Sequence, residues 1–208
     1  ALKVLPSSPN KGQASVGSYL QGFREILRNR SAMACLLGTM LRSASWQVIL
    51  NYSISFYRQR YSVPAGLASI ILTIGALVFI SGGLLGGRFL NRLGRKPPTI
   101  LAVFLLGLCV ITFMYVPNIW LSLALFLLGC VFSGLGVTTA NSLALEQVPR
   151  FRGSMMSVNQ AAINTGGAIG NSFGGLMLLL YGYEAAGLSL GIMGVVASSV
   201  FLFLTIDP

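Results

Sequence analysis

The chain contains no histidine, and only four of its 208 residues are acidic: Glu25, Glu146, Glu184 and Asp207. Without an imidazole there is no base for a Ser-His or Cys-His nucleophile and no His ligand for a metal. The four acids stand far apart along the chain, so no carboxylate pair for acid–base chemistry is in view. An enzyme is not expected, and neither is a cofactor or a metal. Cysteine is scarce as well. Cys35, Cys109 and Cys130 all lie inside apolar runs without C-x-x-C spacing, and read as small core residues.

Charge of either sign is thin, 9% of residues against about a quarter in ordinary soluble domains, while 54% are hydrophobic. Lipid is therefore the expected solvent. The charge that exists is lopsided, with 14 Lys and Arg giving a net +10. Spread over a soluble surface this would suggest nucleic acid. Here the cations cluster in short segments between apolar runs, where they act as topology determinants facing anionic lipid, and nucleic acid is not an expected partner.

A membrane-spanning helix needs about 20 mostly apolar residues, and six runs meet this: 31–57, 65–87, 98–116, 119–145, 154–181 and 185–206. They lack the period-2 alternation of barrel strands, so the fold class is all-α, a bundle of six transmembrane helices over 31–206. The joints are short and carry breakers, among them Pro64, Pro97-Pro98, Pro117, Pro149 and Gly182, which makes successive helices antiparallel neighbours. Lys3, Lys11, Arg24, Arg28, Arg30, Arg88, Arg92, Arg95, Lys96, Arg150 and Arg152 fall on one side of the membrane. Arg58 and Arg60 fall on the other, and Arg42 lies inside a span. Both termini are expected in the cytoplasm.

The opening residues, ALKVLPSSPNKGQ, are polar and lack the apolar core of a signal peptide. Residues 1–18 read as a polar linker, and the chain as a fragment that starts in it. Over 19–30, Tyr19, Leu20, Phe23, Ile26 and Leu27 recur at helical spacing among Arg24, Arg28 and Arg30. That pattern is an interfacial amphipathic helix or, as the plainer alternative, a basic linker.

Polar residues inside spans mark the faces that avoid lipid. On the fifth span Ser157, Gln160, Asn164 and Asn171 fall within about 60° of one another at 100° per residue. They line either a cavity or a contact with neighbouring helices. Gly166, Gly170 and Gly174 recur every four residues on a largely opposite face, a ridge for close helix packing, as do Gly82 and Gly86 with Gly83 and Gly87. Arg42 stands about 16 Å into the first span, where a cation costs at least about 2.5–3.5 kcal/mol. The spans hold no carboxylate to compensate it, which leaves an anionic substrate, an acid of another segment, helix carbonyls or water. Ser45 and Trp46 flank it on the same face, and Gln47 and Asn51 lie on another. All five are candidate substrate-lining residues.

The basic joint Gly87-x-x-x-Asn91-Arg92-x-Gly94-Arg95-Lys96 resembles the G-x-x-x-D-R-x-G-R-K/R signature of the major facilitator superfamily, between the second and third helices of each six-helix half. Glu146-Gln-Val-Pro149-Arg-Phe-Arg152-Gly153 is similar to its joint between helices four and five. The glycine-rich run 166–175 looks like the eleventh helix of its drug-efflux members. The resemblance covers about residues 20–206 and implies helices seven to twelve of a transporter working by alternating access in a bacterial inner membrane. The other half, or a second copy, is its partner, a small organic molecule its substrate, and a proton or ion a candidate for coupling. Efflux of amphipathic compounds is the favoured activity. Gln47, Asn51 and Tyr57 loosely resemble the Q…N…Y pattern of sugar porters, which makes uptake of a sugar or metabolite the alternative. A membrane scaffold or sensor without transport is a third reading.

In the family the acid of the signature docks on a helix of the opposite half and closes the cytoplasmic side. Asn91 keeps the acceptor without the charge, so a weaker latch is expected. Glu146 is expected to pair with Arg92 or Arg95, and Gly87, Gly94, Lys96 and Arg152 complete the gate motif. The alternative is that these cations only set topology.

Overall fold

A computed structural model describes residues 16–207. The polar opening segment lies outside them, apart from 16–18, which begin helix α1, Val16–Arg28. The basic stretch is thus a helix rather than a linker. Asn29 breaks it and caps the next, α2 (Arg30–Gln47): its backbone is extended and its side chain accepts from Ala32 N at 3.1 Å. From α2 the chain passes through a π-helical turn, Val48–Tyr52, into α3 (Ser53–Tyr61).

Ser62 ends this rod in a left-handed conformation (φ 54°), and Pro64 starts α4, Ala65–Leu93. With 29 residues α4 is about 43 Å long, more than the ~30 Å hydrocarbon layer. Its last turns carry Arg88 and Arg92 past the apolar stretch before Gly94 turns the chain (φ 79°). Helix α5 (Lys96–Phe113) opens with two prolines in its first turn, where no amide hydrogen is needed. Helix α6 (Ile119–Gln147) is capped by Asn118, which accepts from the amides of Trp120 and Leu121. A 3₁₀ turn, Pro149–Phe151, leads into α7, Arg152–Leu204.

Five helical segments are long and apolar enough to cross a membrane: Arg30–Tyr61, Ala65–Leu93, Lys96–Phe113, Ile119–Gln147 and Pro149–Leu204. The last is broken at Gly182 (φ 85°, ψ −175°) and folds back on itself. Along a straight helix residues 174 and 190 would stand about 24 Å apart. Here a Cβ added at Gly174 would lie 2.6 Å from Leu190 Cδ1. The chain therefore makes six crossings, with α7 supplying two arms, 152–181 and 183–204.

In the bundle α4 packs on α6, α6 on α5, α5 on α7, and α2 against α7. Glycine makes these approaches possible. A Cβ at Gly166 would meet the Met40 carbonyl and one at Gly170 the Ala44 carbonyl at 2.5 Å, so the first arm lies directly on α2. Gly82 abuts the Val131 carbonyl and Gly86 lies against Leu135 and Thr138, which seats α4 on α6. Gly87 takes no part: a Cβ there would meet nothing within 4 Å.

Two apolar clusters fill the interior. One, around Ile26, Cys35, Leu36, Leu143, Met155 and Phe201, lies at the end bearing Arg88, Arg92 and Arg152, called here the basic end. The other, around Ile49, Phe56, Tyr57, Phe113, Phe126 and Leu190, lies at the far end, with Phe56 edge-on to Tyr57, Tyr61, Phe113 and Tyr183. Between them in chain depth come the buried polar residues Thr39, Arg42, Ser45 and Ser133.

Candidate functional site

Two places on the bundle gather the polar residues singled out in the sequence. The first is an open face along α2, the π turn and the first arm of α7. Ser157, Gln160, Asn164, Asn171 and Asn51 are exposed there, and Gln47 is half-buried. Asn51 Nδ2 donates to Gln47 Oε1 at 2.8 Å and to Asn171 Oδ1 at 2.6 Å, joining the two helices. Tyr52 Oη donates to the Asn171 carbonyl at 2.7 Å, and Gln160 Nε2 to Asn164 Oδ1 at 3.1 Å. The π turn widens the rod at Asn51 and Tyr52, and both reach across to Asn171.

Each amide carries two donor hydrogens and an oxygen with two lone pairs. Among the described residues, Asn164 Nδ2 and Asn171 Nδ2 have no hydrogen-bond partner and belong to exposed side chains, while Gln47 Nε2 is turned against Gly167, where an added Cβ would lie 2.9 Å from it. This face offers neutral donors and acceptors against apolar walls, with no carboxylate and no cation of its own. It suits a ligand that is partly apolar and hydrogen-bonds at a few points.

The other three expected members sit elsewhere. Ser45 is fully buried against Gly194, where an added Cβ would lie 2.8 Å from Ser45 Oγ, so it lines no open face. Trp46 is turned to α4 and stacks on Phe79 at 5.3 Å. Arg42 is 2% exposed and lies beside Gly136 of α6, its Nε and Nη1 without hydrogen-bond partners. Arg42 and Ser45 project into the bundle, away from the amides. The helical spacing fixes their relative angle but not which angle faces the neighbours. Tyr57, the third member of the sugar-porter pattern, is also buried, with its hydroxyl 3.2 Å from Ser122 Oγ.

The stretch 170–174 has G-x-S-x-G spacing. It is no nucleophile elbow: Ser172 sits within a continuous helix rather than at a strand-to-helix turn, and the chain has no histidine to activate it.

The second place is the basic end. Glu146 Oε1 pairs with Arg95 Nη2 at 3.2 Å and with Arg152 Nη2 at 2.8 Å. Arg92, the other expected partner, is exposed and lies outside this cluster, because α4 continues helically through it. Only after the turn at Gly94 does the chain bring a cation back over α6. The Glu146 side chain is 20% exposed and its partners more so, which places each pair in the weak range of about 0–1 kcal/mol. Lys96 Nζ donates to the Thr205 carbonyl at 2.6 Å, tying this joint to the end of α7. Asn91 and Gly153 are exposed, and a Cβ added at Gly87 or Gly153 would meet nothing within 4 Å among the described residues.

The sequence patterns did not reveal a hydrogen-bonded knot around Gln147. Ser31 Oγ donates to Gln147 Oε1 at 2.5 Å and accepts from Ile206 N at 2.8 Å, Gln147 Nε2 donates to the Ile206 carbonyl at 3.0 Å, and Asn29 Nδ2 to the Gln147 carbonyl at 3.0 Å. Its one sequence signal is Asn29, a cap residue at the head of the first apolar run.

Comparison with known proteins agrees with this architecture. The sequence matches the Major Facilitator Superfamily over residues 2–161 and 36–208. It is 24% identical to a Na(+), Li(+), K(+)/H(+) antiporter of Planococcus maritimus over 85% of this chain and 42% of that protein. It is 29% identical to the multi-drug resistance efflux pump PmrA of Streptococcus pneumoniae over 74% of this chain and 39% of that protein. An uncharacterized MFS-type transporter of Bacillus subtilis, YceJ, is 27% identical over 84% of the chain and 44% of its own length. The chain thus spans less than half the length of these curated relatives. Six antiparallel crossings, the basic joint closed on Glu146 and the match across the whole bundle lead to one assignment: the chain belongs to the major facilitator superfamily, whose members are membrane transporters and not enzymes.

Proposed function

We propose that the chain is the C-terminal six-helix half of a secondary active transporter that moves a small organic molecule by alternating access, exporting amphipathic compounds. Its place is the bacterial inner membrane, with both termini in the cytoplasm. The observation that carries this reading is the open amide face linked by Asn51 and Asn171, on helices otherwise clothed in apolar side chains. A polar strip facing lipid would be costly, so a second half, or a second copy, covers it and completes the cavity. Gln47, Asn51, Ser157, Gln160, Asn164 and Asn171 then face the substrate, and Arg42 acts from behind through its charge. Similarity to a multidrug pump and to a cation/proton antiporter supports export and cation coupling. The coupling carboxylate comes from the other half, since the described spans carry none at mid-membrane.

The test is flux in proteoliposomes of the full-length protein under a proton or sodium gradient. Lipophilic cations are expected to be pumped and to compete with one another. Competition by sugars instead would favour the uptake reading, against which the burial of Tyr57 already speaks. Absence of any flux would leave a scaffold or sensor.

The basic end serves as the inner gate, with Gly87 and Asn91 presented to the partner half. Asn91→Asp restores a charge that docks on the positive end of a facing helix. The inward-open fraction, read from distances between spin labels on the two halves, is expected to fall. An unchanged fraction would reduce the motif to a topology signal.

A further inference from the structure

Helix α1 is more than a lead-in to the first span. Its Gly22 lies so close to α7 that an added Cβ would stand 2.8 Å from Ser154 Oγ and 3.0 Å from Phe151 Cδ1, so α1 rests directly on the start of α7. Beside this contact a cleft of about 600 Å³ opens, lined by Gln21, Arg24, Glu25, Arg28, Arg150 and Phe151. The ion pairs of the described residues are Arg60–Glu184, Arg95–Glu146 and Arg152–Glu146. None of the three arginines of the cleft is engaged among them, and the single acid in its wall leaves it net positive. Arg24 and Arg28, one turn apart, share one flank of α1.

The neighbouring flank is apolar and open: Leu20 is 64% exposed, Phe23 48% and Leu27 51%. At 100° per residue these three fall within about 60°, and Arg24 follows immediately on the side of the cleft. A ligand that satisfies both flanks has an anionic head of phosphate size and an apolar tail. Arginine forks match phosphate oxygens in pairs, and a cationic rim above an apolar stripe is how a helix seats itself at an anionic lipid surface. Free phosphate would use the arginines and leave the stripe in water.

We propose that the cleft between α1 and α7 is a binding site for the phosphodiester headgroup of an anionic lipid, held by Arg24, Arg28 and Arg150 with its acyl chains along Leu20, Phe23 and Leu27. The site goes beyond the transport reading and is tested without transport. Purified full-length protein in a mild detergent is titrated with short-chain phosphatidylglycerol, phosphatidylcholine of the same chain length, and inorganic phosphate. Melting temperature and lipid adducts in native mass spectrometry are the readouts.

Phosphatidylglycerol is expected to raise the melting temperature saturably and to persist as a one-lipid adduct, while the other two have no effect. In the triple variant R24Q/R28Q/R150Q, adduct affinity should fall about a hundredfold. Should that variant fail to fold, Arg150→Gln alone, in the exposed 3₁₀ turn, is expected to weaken the adduct several-fold, and Arg150→Lys to restore part of it. Equal stabilisation by phosphatidylcholine or by inorganic phosphate would overturn the proposal. So would full retention of the adduct by the glutamine variants.

Discussion

Replacing Gly134 by valine is expected to abolish the folded protein. A Cβ at this position would run into the Phe79 carbonyl and stand 2.9 Å from Gly83 N, so the obstacle is backbone and no side chain can swing aside. The contact is reciprocal, since Gly82 is pressed on the Val131 carbonyl of α6 in the same way. Overpacking a well-filled core costs about 1–3 kcal/mol, and a clash with main chain belongs at or above the top of that range. α4 has little else to hold it: only 17% of its apolar window is buried inside the chain, and its main neighbour is α6. Membranes expressing Gly134→Val should yield no monodisperse peak by fluorescence-detected gel filtration. Gly87→Val, where a Cβ meets nothing, should behave as wild type. A stable, monodisperse Gly134→Val protein would show that α4 does not rest on α6 in this way.

Arg42→Met is expected to separate stability from transport. The guanidinium is buried near mid-membrane with two unpartnered nitrogens, and none of the four acids lies near it: Glu146 and Glu184 pair at opposite ends of the bundle, Glu25 is exposed on α1, and Asp207 follows α7. An unbranched apolar side chain of similar reach removes a desolvation cost of about 2.5–3.5 kcal/mol or more. The melting temperature should hold or rise. Transport should fall at least about tenfold, because the buried positive charge is the counter-ion for the coupling carboxylate proposed in the other half, and methionine offers that carboxylate none. Proteoliposome flux and thermal melting on the same preparation give both readings. Undiminished flux would remove Arg42 from the transport mechanism, and a collapsed melting temperature would show that its charge is compensated within the protein.

The six crossings and the glycine ridges were legible because both are one-dimensional: a run of apolar residues sets a span, and glycines four apart set a stripe on any helix. The amide strip of α7 was legible for the same reason. What surrounds a stripe is not one-dimensional. Ser45 and Arg42 share a helix with Gln47, but the positions of α5, α6 and the second arm of α7 decide that the first two are enclosed. The π turn, Val48–Tyr52, has no proline or glycine to announce it, and around it Ser53 Oγ donates to the Ile49 carbonyl and Tyr52 Oη to that of Asn171. Arg92 and Arg95 were both candidates for Glu146, and it is Arg95 that pairs, because apolar content stops near Gly87 whereas the helix itself runs on through Arg92 to Leu93. The end of hydrophobicity and the end of a helix are set by different forces, and a basic joint is where they part.

The knot at Gln147 has a mechanical consequence. It fastens the start of α2, the end of α6 and the segment after α7 to one side chain, and Lys96 adds the start of α5 through Thr205. Helices bound at one end behave as the tines of a fork joined at the handle: they flex only toward the free end, and the handle turns as a single piece. In the alternating-access reading proposed above, motion that exposes the amide face from the basic end would carry this fastened end as one piece rather than part its helices from one another.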